Sequence, residues 1–471
     1  MKNLSLDRIT QVTGGVFYGQ MEELEKEISS ITTDSRKAEP GCLFAAISGN
    51  RVDGHDFIGQ VAEQGALAVL SEKVLEAPPC AYILVESTLD ALKSIAEDYL
   101  AGLNIPVVGI SGSVGKTSTK EAIASVLSRK MNTLKTEGNF NNELGLPLTI
   151  FRLRPEHEAA VLEMGISGFG EMSRLAKIAK PSVGVITNIG TCHLENLGDR
   201  DGVFRAKTEM LDHVRIGGHL VLNGDDDKLA ELGGTASGAC FEERRKTRSQ
   251  RGLKPVFFGL GSGNDVYADE IVSRGIKGTD CRIHMGDESF TVRIPIPGKH
   301  MVYNALCAAA TGRIFGITPD EIKKGIEAIQ AIGGRLHMVE TGKLLIIDDC
   351  YNANPMSMKA SLDVLKDMEG RKVAVLGDMA ELGEDELELH RSVGQYAAGC
   401  GIDLLVCAGE RSRVMAEAAE AAGASFQVIY EADRESLLAH LADYIREKDT
   451  VLVKASHSMK FEEVVEKLSS L

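Results

Sequence analysis

The sequence predicts an α/β protein of three domains, and three observations carry that prediction. The chain has 471 residues, where one domain takes roughly 150. Apolar strands alternate with helical stretches along most of its length, the pattern of mainly parallel sheets covered by helices. One strand-to-helix junction, "GISGSVGKTSTK" from Gly109 to Lys120, carries three glycines followed by Lys-Thr-Ser.

The first 84 residues mix short strands and helices: "GCLFAAISG" reads as a buried strand, "DFIGQVAEQGALAVLS" as helix then strand, and "AYILVE" closes the unit. The helical stretch "STLDALKSIAEDYLAGL" then leads to the glycine loop. From Ile105 the strands "PVVGIS", "EAAVLEMG", "SVGVITNIG" and "GGHLVLNGDD" alternate with helices, which predicts a mainly parallel sheet with ligands at its strand ends. A more polar β stretch from Val256 to Ile296 precedes the small-residue helix "PGKHMVYNALCAAATGRIFG". "KLLIIDD", "RKVAVLGD", "DLLVCAGE", "SFQVIYE" and "TVLVKASHS" predict a last strand-helix domain. The predicted domains are residues 1–84, 85–331 and 332–471.

Composition narrows the function. Hydrophobic residues make 44% and charged residues 25%, ordinary for a soluble globular protein. There is neither a signal-like start nor an apolar run of about 18 residues, so a cytoplasmic enzyme without membrane insertion is expected. Nine cysteines without a C-x-x-C pair suit a reducing compartment and give neither a zinc site nor a disulfide framework. A net charge of −16 argues against nucleic acid as the partner, which needs a basic stripe. The basic run from Arg244 to Lys254 reads as a solvated face.

The glycine loop departs from the usual phosphate-binding pattern, because Ile110 stands where the first glycine belongs. What remains is a shorter form: Gly112, Ser113, Val114, Gly115, Lys116, Thr117 and Ser118. A strand, a glycine turn and a helix start would still aim backbone N–H groups at an anion. Lys116 would reach the outer phosphates of ATP, and the Thr117 hydroxyl would ligate Mg²⁺. An ordinary capped turn is the alternative. Glu163, ending "AAVLEMG", and His193, in "TCHLENLG", fall at strand ends and could hold metal together with Thr117. Lys207, on the helical stretch "FRAKTEML", would by composition alone face solvent.

In this order and spacing, "GSVGKTS", "LEMG", "TNIGTCHLENLG", "AKTEML", "GKHMVYNALCAAA", "GGRLH" and "IIDDCYNANPMSM" resemble the Mur ligases, ATP-dependent amide-forming enzymes of cell-wall precursor synthesis. The likeness runs from "TTDSRKAEPGCLFAAISGNRVDGHDFI" to "VLVKASHSMKFEE", and the short loop is that family's own form. It implies a small mixed α/β domain for a UDP-linked substrate, a central P-loop ATPase-like domain and a C-terminal Rossmann-like domain. "DDCYNANPMSM" and "VLGDMAELGEDELELH" are most similar to the member that adds D-alanyl-D-alanine to UDP-N-acetylmuramoyl-tripeptide through an acyl phosphate. The Asp-Asn-Pro-Arg signature of the diaminopimelate-adding relative is missing.

The resemblance further implies two Mg²⁺ ions on Thr117, Glu163, His193 and Lys207, the last as a CO₂-derived carbamate, with Lys116, Glu163, His193 and Lys207 catalytic. Asn304 would contact adenine, and Arg335 and Asp349 the phosphates and ribose. Ser35, Arg36, Asp53 and His55 would hold the uridine diphosphate. Asn139, Asn141, Asn142, Tyr351, Asn352, Asn354 and Lys454 would line the substrate cleft of a monomer. After Lys454 the expected Gly-Ser-Arg is replaced by Ala455, Ser456 and His457, which weakens a carboxylate contact there or makes it pH-dependent. Two rival readings are another amide ligase, such as a folylpolyglutamate-type enzyme, and a P-loop switch. "DSR…DGHDF" argues against the first, and Glu163 with His193 fits the second poorly.

Overall fold

The computed structural model describes residues 1–49, 52–234 and 238–471. Among these, the strands form sheets of five, nine and six members. The first runs Val16–Tyr18, Ala81–Leu84, Ala68–Ser71, Leu43–Ala45, Ile31–Thr32, parallel except for its first pair.

The nine-stranded sheet positions the site. Val107–Ser111 lies between Ala159–Glu163 and Val183–Ile186, parallel to both. All three strands are buried throughout. A strand covered on both faces calls for the unbroken apolar runs seen in the sequence. The polar β stretch is not a separate unit. Lys254–Gly259 and Val266–Ser273 continue the parallel sheet, and Thr279–Met285 and Glu288–Ile294 finish it in antiparallel pairing. Alternating burial along Thr279–Met285 shows why it reads as polar: one face meets water.

Helix Lys116–Leu127 packs against Lys299–Ile314, whose small residues Ala305, Ala308 and Ala309 are fully buried and let the two approach. Helix Thr88–Leu103 is opened by the Ser87 hydroxyl accepting from Asp90 N and closed by left-handed Asn104. It packs on Leu6–Thr13 on one side and on Gly145–Ile150 and Glu171–Ala179 on the other, so one apolar core spans the first two sheets.

The six-stranded sheet runs His337–Glu340, Leu345–Asp348, Thr450–Lys454, Lys372–Gly377, Leu404–Ala408, Gln427–Glu431, parallel after the first pair. Thr450–Lys454 therefore sits inside the sheet. The basic run lies on helix Ala239–Gln250, where Arg244 pairs with Asp212 at 2.8 Å. No helix among the described residues is long and apolar enough to cross a membrane.

Candidate active site

The glycine loop is shaped by the strand beside it. Gly112 has φ 147, and a Cβ there would stand 1.9 Å from Thr187 Oγ1, so only glycine fits. Val114 is clamped: its N–H donates to Asn188 Oδ1 at 3.0 Å, and its carbonyl accepts from Asn188 Nδ2 at 3.1 Å and Thr187 Oγ1 at 2.6 Å. Gly115, at φ 80, turns the chain into helix Lys116–Leu127. Lys116 Nζ folds back to donate to Gly112 O at 2.8 Å.

Glu163 is 1% exposed at the end of the neighbouring strand. Its Oε1 accepts from Thr117 Oγ1 at 3.1 Å and Asn141 Nδ2 at 2.9 Å. Its Oε2 is buried without a hydrogen-bond partner among the described residues, the Lys120 ammonium standing 4.0 Å away. A buried carboxylate oxygen left unmatched is costly, and it suits a hard cation. Among the described residues no three His, Cys, Asp or Glu side chains cluster as a metal cage.

His193 caps the short helix Leu194–Leu197 in a left-handed conformation. Its Nδ1 lies 2.7 Å from Glu381 Oε2 of the C-terminal domain. The approach is oblique to the ring N–H, an ion-pair contact more than a linear hydrogen bond, and it holds the Glu381 carboxyl below its ordinary range. Lys207 is 1% exposed on helix Arg200–Thr208, and among the described residues it makes no ion pair. Burial pulls its ammonium down to about 8, with a smaller push the same way from Lys116. It does not face solvent as composition alone would place it.

From the C-terminal domain, Asp349 Oδ2 meets Lys454 Nζ at 2.6 Å, and Asp349 Oδ1 accepts from Leu336 N at 3.1 Å. Lys454 Nζ also donates to Asn352 O at 3.0 Å. The Arg335 guanidinium lies 4.2 Å over the Tyr351 ring, and the His457 ring is 5.4 Å from the same tyrosine. Of the unexpected residues after Lys454, Ala455 is buried and the Ser456 hydroxyl accepts from Ala380 N.

A cleft of about 710 Å³ joins the two domains. It brings together Ser113 to Ser118, Asn139, Asn141, Asn142, Glu163, His193, Asn304, Arg335, Asp349, Tyr351, Asn352, Asn354 and Lys454. Gly112 and Lys207 stand outside its lining. Ser35, Arg36, Asp53 and His55 lie apart in the first domain: Arg36 pairs with Asp34 at 2.8 Å, and Asp53 with His55 and Lys73, both at 2.6 Å. Asn188, Asp225, Tyr303 and Met356 also line the cleft and were not singled out from sequence. "TNIG" contained Asn188 without any local sign that its side chain clamps a loop 74 residues away. Asn304 Oδ1 accepts from Thr119 Oγ1 at 2.9 Å, which among the described residues leaves its amide nitrogen only a 3.2 Å contact to Met301 Sδ.

Three family models match the chain: "Mur ligase family, catalytic domain" over residues 27–100, "Mur ligase middle domain" over 110–312 and "Mur ligase, glutamate ligase domain" over 334–457. The UDP-N-acetylmuramoyl-tripeptide--D-alanyl-D-alanine ligase of Bacillus subtilis (strain 168) is 38% identical, covering 94% of this chain and 93% of the relative. Among solved structures, MurF from Acinetobacter baumannii superposes with a TM-score of 0.87 at 33% identity, over 99% of both chains. MurF from Thermotoga maritima in complex with ADP gives 0.80 at 30% identity, over 94% of this chain and 97% of that one.

Proposed function

Because the chain belongs to the Mur ligase family, we infer that the cleft joins a carboxylate to an amine at the expense of ATP. The protein is an ATP-dependent ligase that adds D-alanyl-D-alanine to UDP-N-acetylmuramoyl-tripeptide in peptidoglycan precursor synthesis. A phosphate loop from one domain and Arg335, Asp349 and Asn352 from the next lining a single cleft is the observation that carries the reading, since the reaction needs ATP and two further substrates side by side.

In that reading the γ-phosphoryl group passes to the terminal carboxylate of the tripeptide, giving an acyl phosphate and ADP. The free amine of D-alanyl-D-alanine then attacks the acyl carbon, an amide C–N bond forms and phosphate leaves. Positioning and charge neutralisation make up most of such catalysis. The loop's N–H groups and Lys116 hold the phosphates, Lys116 exchanging Gly112 O for them. Asn304 offers its lightly engaged amide nitrogen to adenine. Arg335 and Asp349 reach the nucleotide from the C-terminal domain, so their arrival is tied to domain closure. Ser35, Arg36, Asp53 and His55 serve the uridine diphosphate end, while Asn139, Asn141, Asn142, Tyr351, Asn352, Asn354 and Lys454 shape the peptide side.

Thr117 Oγ1, Glu163 Oε2 and His193 are the groups that would hold Mg²⁺, with Lys207 as a carbamate supporting a second ion. When bound, Mg²⁺ supplies neutralisation of the phosphate charge and polarises the transferring group. The buried, unmatched Glu163 Oε2 and the burial of Lys207, which makes no ion pair among the described residues, support this assignment. A cytoplasmic monomer working on nucleotide-linked substrates completes the reading, as do domain limits at residues 84 and 331.

ATP-dependent phosphate release, measured with each substrate omitted in turn, tests the assignment. Sustained release is expected only with all three present, and release that ignores D-alanyl-D-alanine would sink it. Glu163→Gln keeps the shape of the side chain and removes its charge. It is expected to lower kcat/KM about a hundredfold or more, without recovery at high Mg²⁺ and with an unchanged circular dichroism spectrum. Near-normal turnover at ordinary Mg²⁺ would remove Glu163 from the metal set.

A further inference from the structure

Two left-handed residues meet across the boundary between the central and C-terminal domains. His193 has φ 53 and Glu381 has φ 61, a conformation that residues bearing a side chain keep where their surroundings impose it. Their side chains touch, Glu381 Oε2 lying 2.7 Å from His193 Nδ1.

The segment carrying Glu381 is fixed on both sides. Before it, Met379 N donates to His390 Nε2 at 2.9 Å and Ala380 N to Ser456 Oγ at 2.8 Å. After it, Leu382 is buried, and Gly383, at φ 70, lies flat on the other domain. A Cβ at Gly383 would stand 3.2 Å from Glu195 N and 3.4 Å from Leu194 C. The turn is therefore seated on the helix start that His193 caps, and Glu381 is the charge it extends to that residue.

We propose that Glu381 is a positioning residue that seats the C-terminal domain on the central domain by holding Nδ1 of His193. The proposal rests on the reading of His193 as part of the phosphoryl-transfer site. The contact occupies the Nδ1 side of the ring and ties its orientation to the C-terminal domain. The side chains are 23% and 57% exposed, so the contact is of modest strength and can open and close with the domains. Arg335 and Asp349 enter the cleft from the same C-terminal domain. The docking that pairs Glu381 with His193 thus also delivers them to the nucleotide.

The test uses the full chain, free of metal and nucleotide, as Glu381→Ala and Glu381→Gln, with the exposed Glu384→Gln as control. Nitrogen-15 spectra of the His193 ring read the contact at Nδ1, a pair of dyes on the two domains reads their separation, and steady-state kinetics separate KM from kcat. Glu381→Ala is expected to shift the His193 Nδ1 signal and broaden the distribution of separations. KM for ATP should rise about twofold to fivefold, the size of a half-exposed ion pair, with a smaller change in kcat. Glu381→Gln, which retains an acceptor oxygen, should recover most of this, and Glu384→Gln should change nothing. A His193 spectrum and a separation unaltered in Glu381→Ala overturn the proposal. Both readouts work without substrate, so their failure is distinct from an error about which dipeptide is joined.

Discussion

Lys207→Ala is expected to lower kcat for ligation by about a thousandfold or more, and added formate or acetate to restore part of it. The alanine leaves a small space where the proposed carbamate would stand, and a short carboxylate can enter with the same charge. Full activity of the plain alanine variant would refute the carbamate. Its formation also carries a pH signature, because only the neutral amine reacts with CO₂. Burial sets that amine to titrate near about 8. At fixed dissolved CO₂, the rate at which bicarbonate-stripped enzyme regains activity should therefore rise about tenfold from pH 7 to pH 9. Stability follows the same group. An unfolded chain keeps this proton up to its ordinary value of 10.5, whereas the folded one releases it near about 8. Between those limits the unfolded state binds more protons, so the carbamate-free enzyme gains stability as pH rises through that window. Thermal melts across it check the sign.

Lys454→Met has its largest effect on folding. The lysine and Asp349 side chains are 3% and 11% exposed, so removing the ammonium leaves an acid with only Leu336 N and the Ser361 hydroxyl as partners. Breaking such a buried pair costs about 3–5 kcal/mol, which urea denaturation would read as an earlier midpoint. Lys454→Met combined with Asp349→Leu should regain much of that stability, since it removes the unpaired charge, yet should not regain ATP turnover. A loss below about 1 kcal/mol in the single variant would mean that the pair is not closed in solution.

Parts of this site that depend on chain neighbours were legible in the sequence. Gly112 to Ser118 read as a phosphate loop despite the missing first glycine, and Glu163 ended an apolar run in a sheet expected to be covered by helices. Lys207 was named through the resemblance alone, and its burial was not legible. Its burial comes from the packing of helix Arg200–Thr208, where Val203, Phe204 and Ala206 are also buried, and no local pattern tells such a lysine from a surface one. Asp349 was named for the nucleotide and Lys454 for the substrate cleft, but their mutual pairing spans 105 residues and exists only once the sheet has formed. Glu381 lay inside a stretch that carried the resemblance, yet its partner belongs to another domain. The antiparallel edge of the central sheet read as a separate polar stretch because half of its side chains meet water.

The place of Thr450–Lys454 has a consequence for how the protein is made. Ribosomes deliver the chain in order, and this strand emerges after Leu345–Asp348 and Lys372–Gly377, the two strands it must separate and join. Until then the nascent domain has a gap at its centre, and Asp349 lacks its counter-ion. A chaperone or protease meeting the growing chain would see open strand edges up to that moment. Truncation before residue 450 therefore removes the keystone of the last sheet, whereas the first two sheets, complete by residue 294, already hold all their strands.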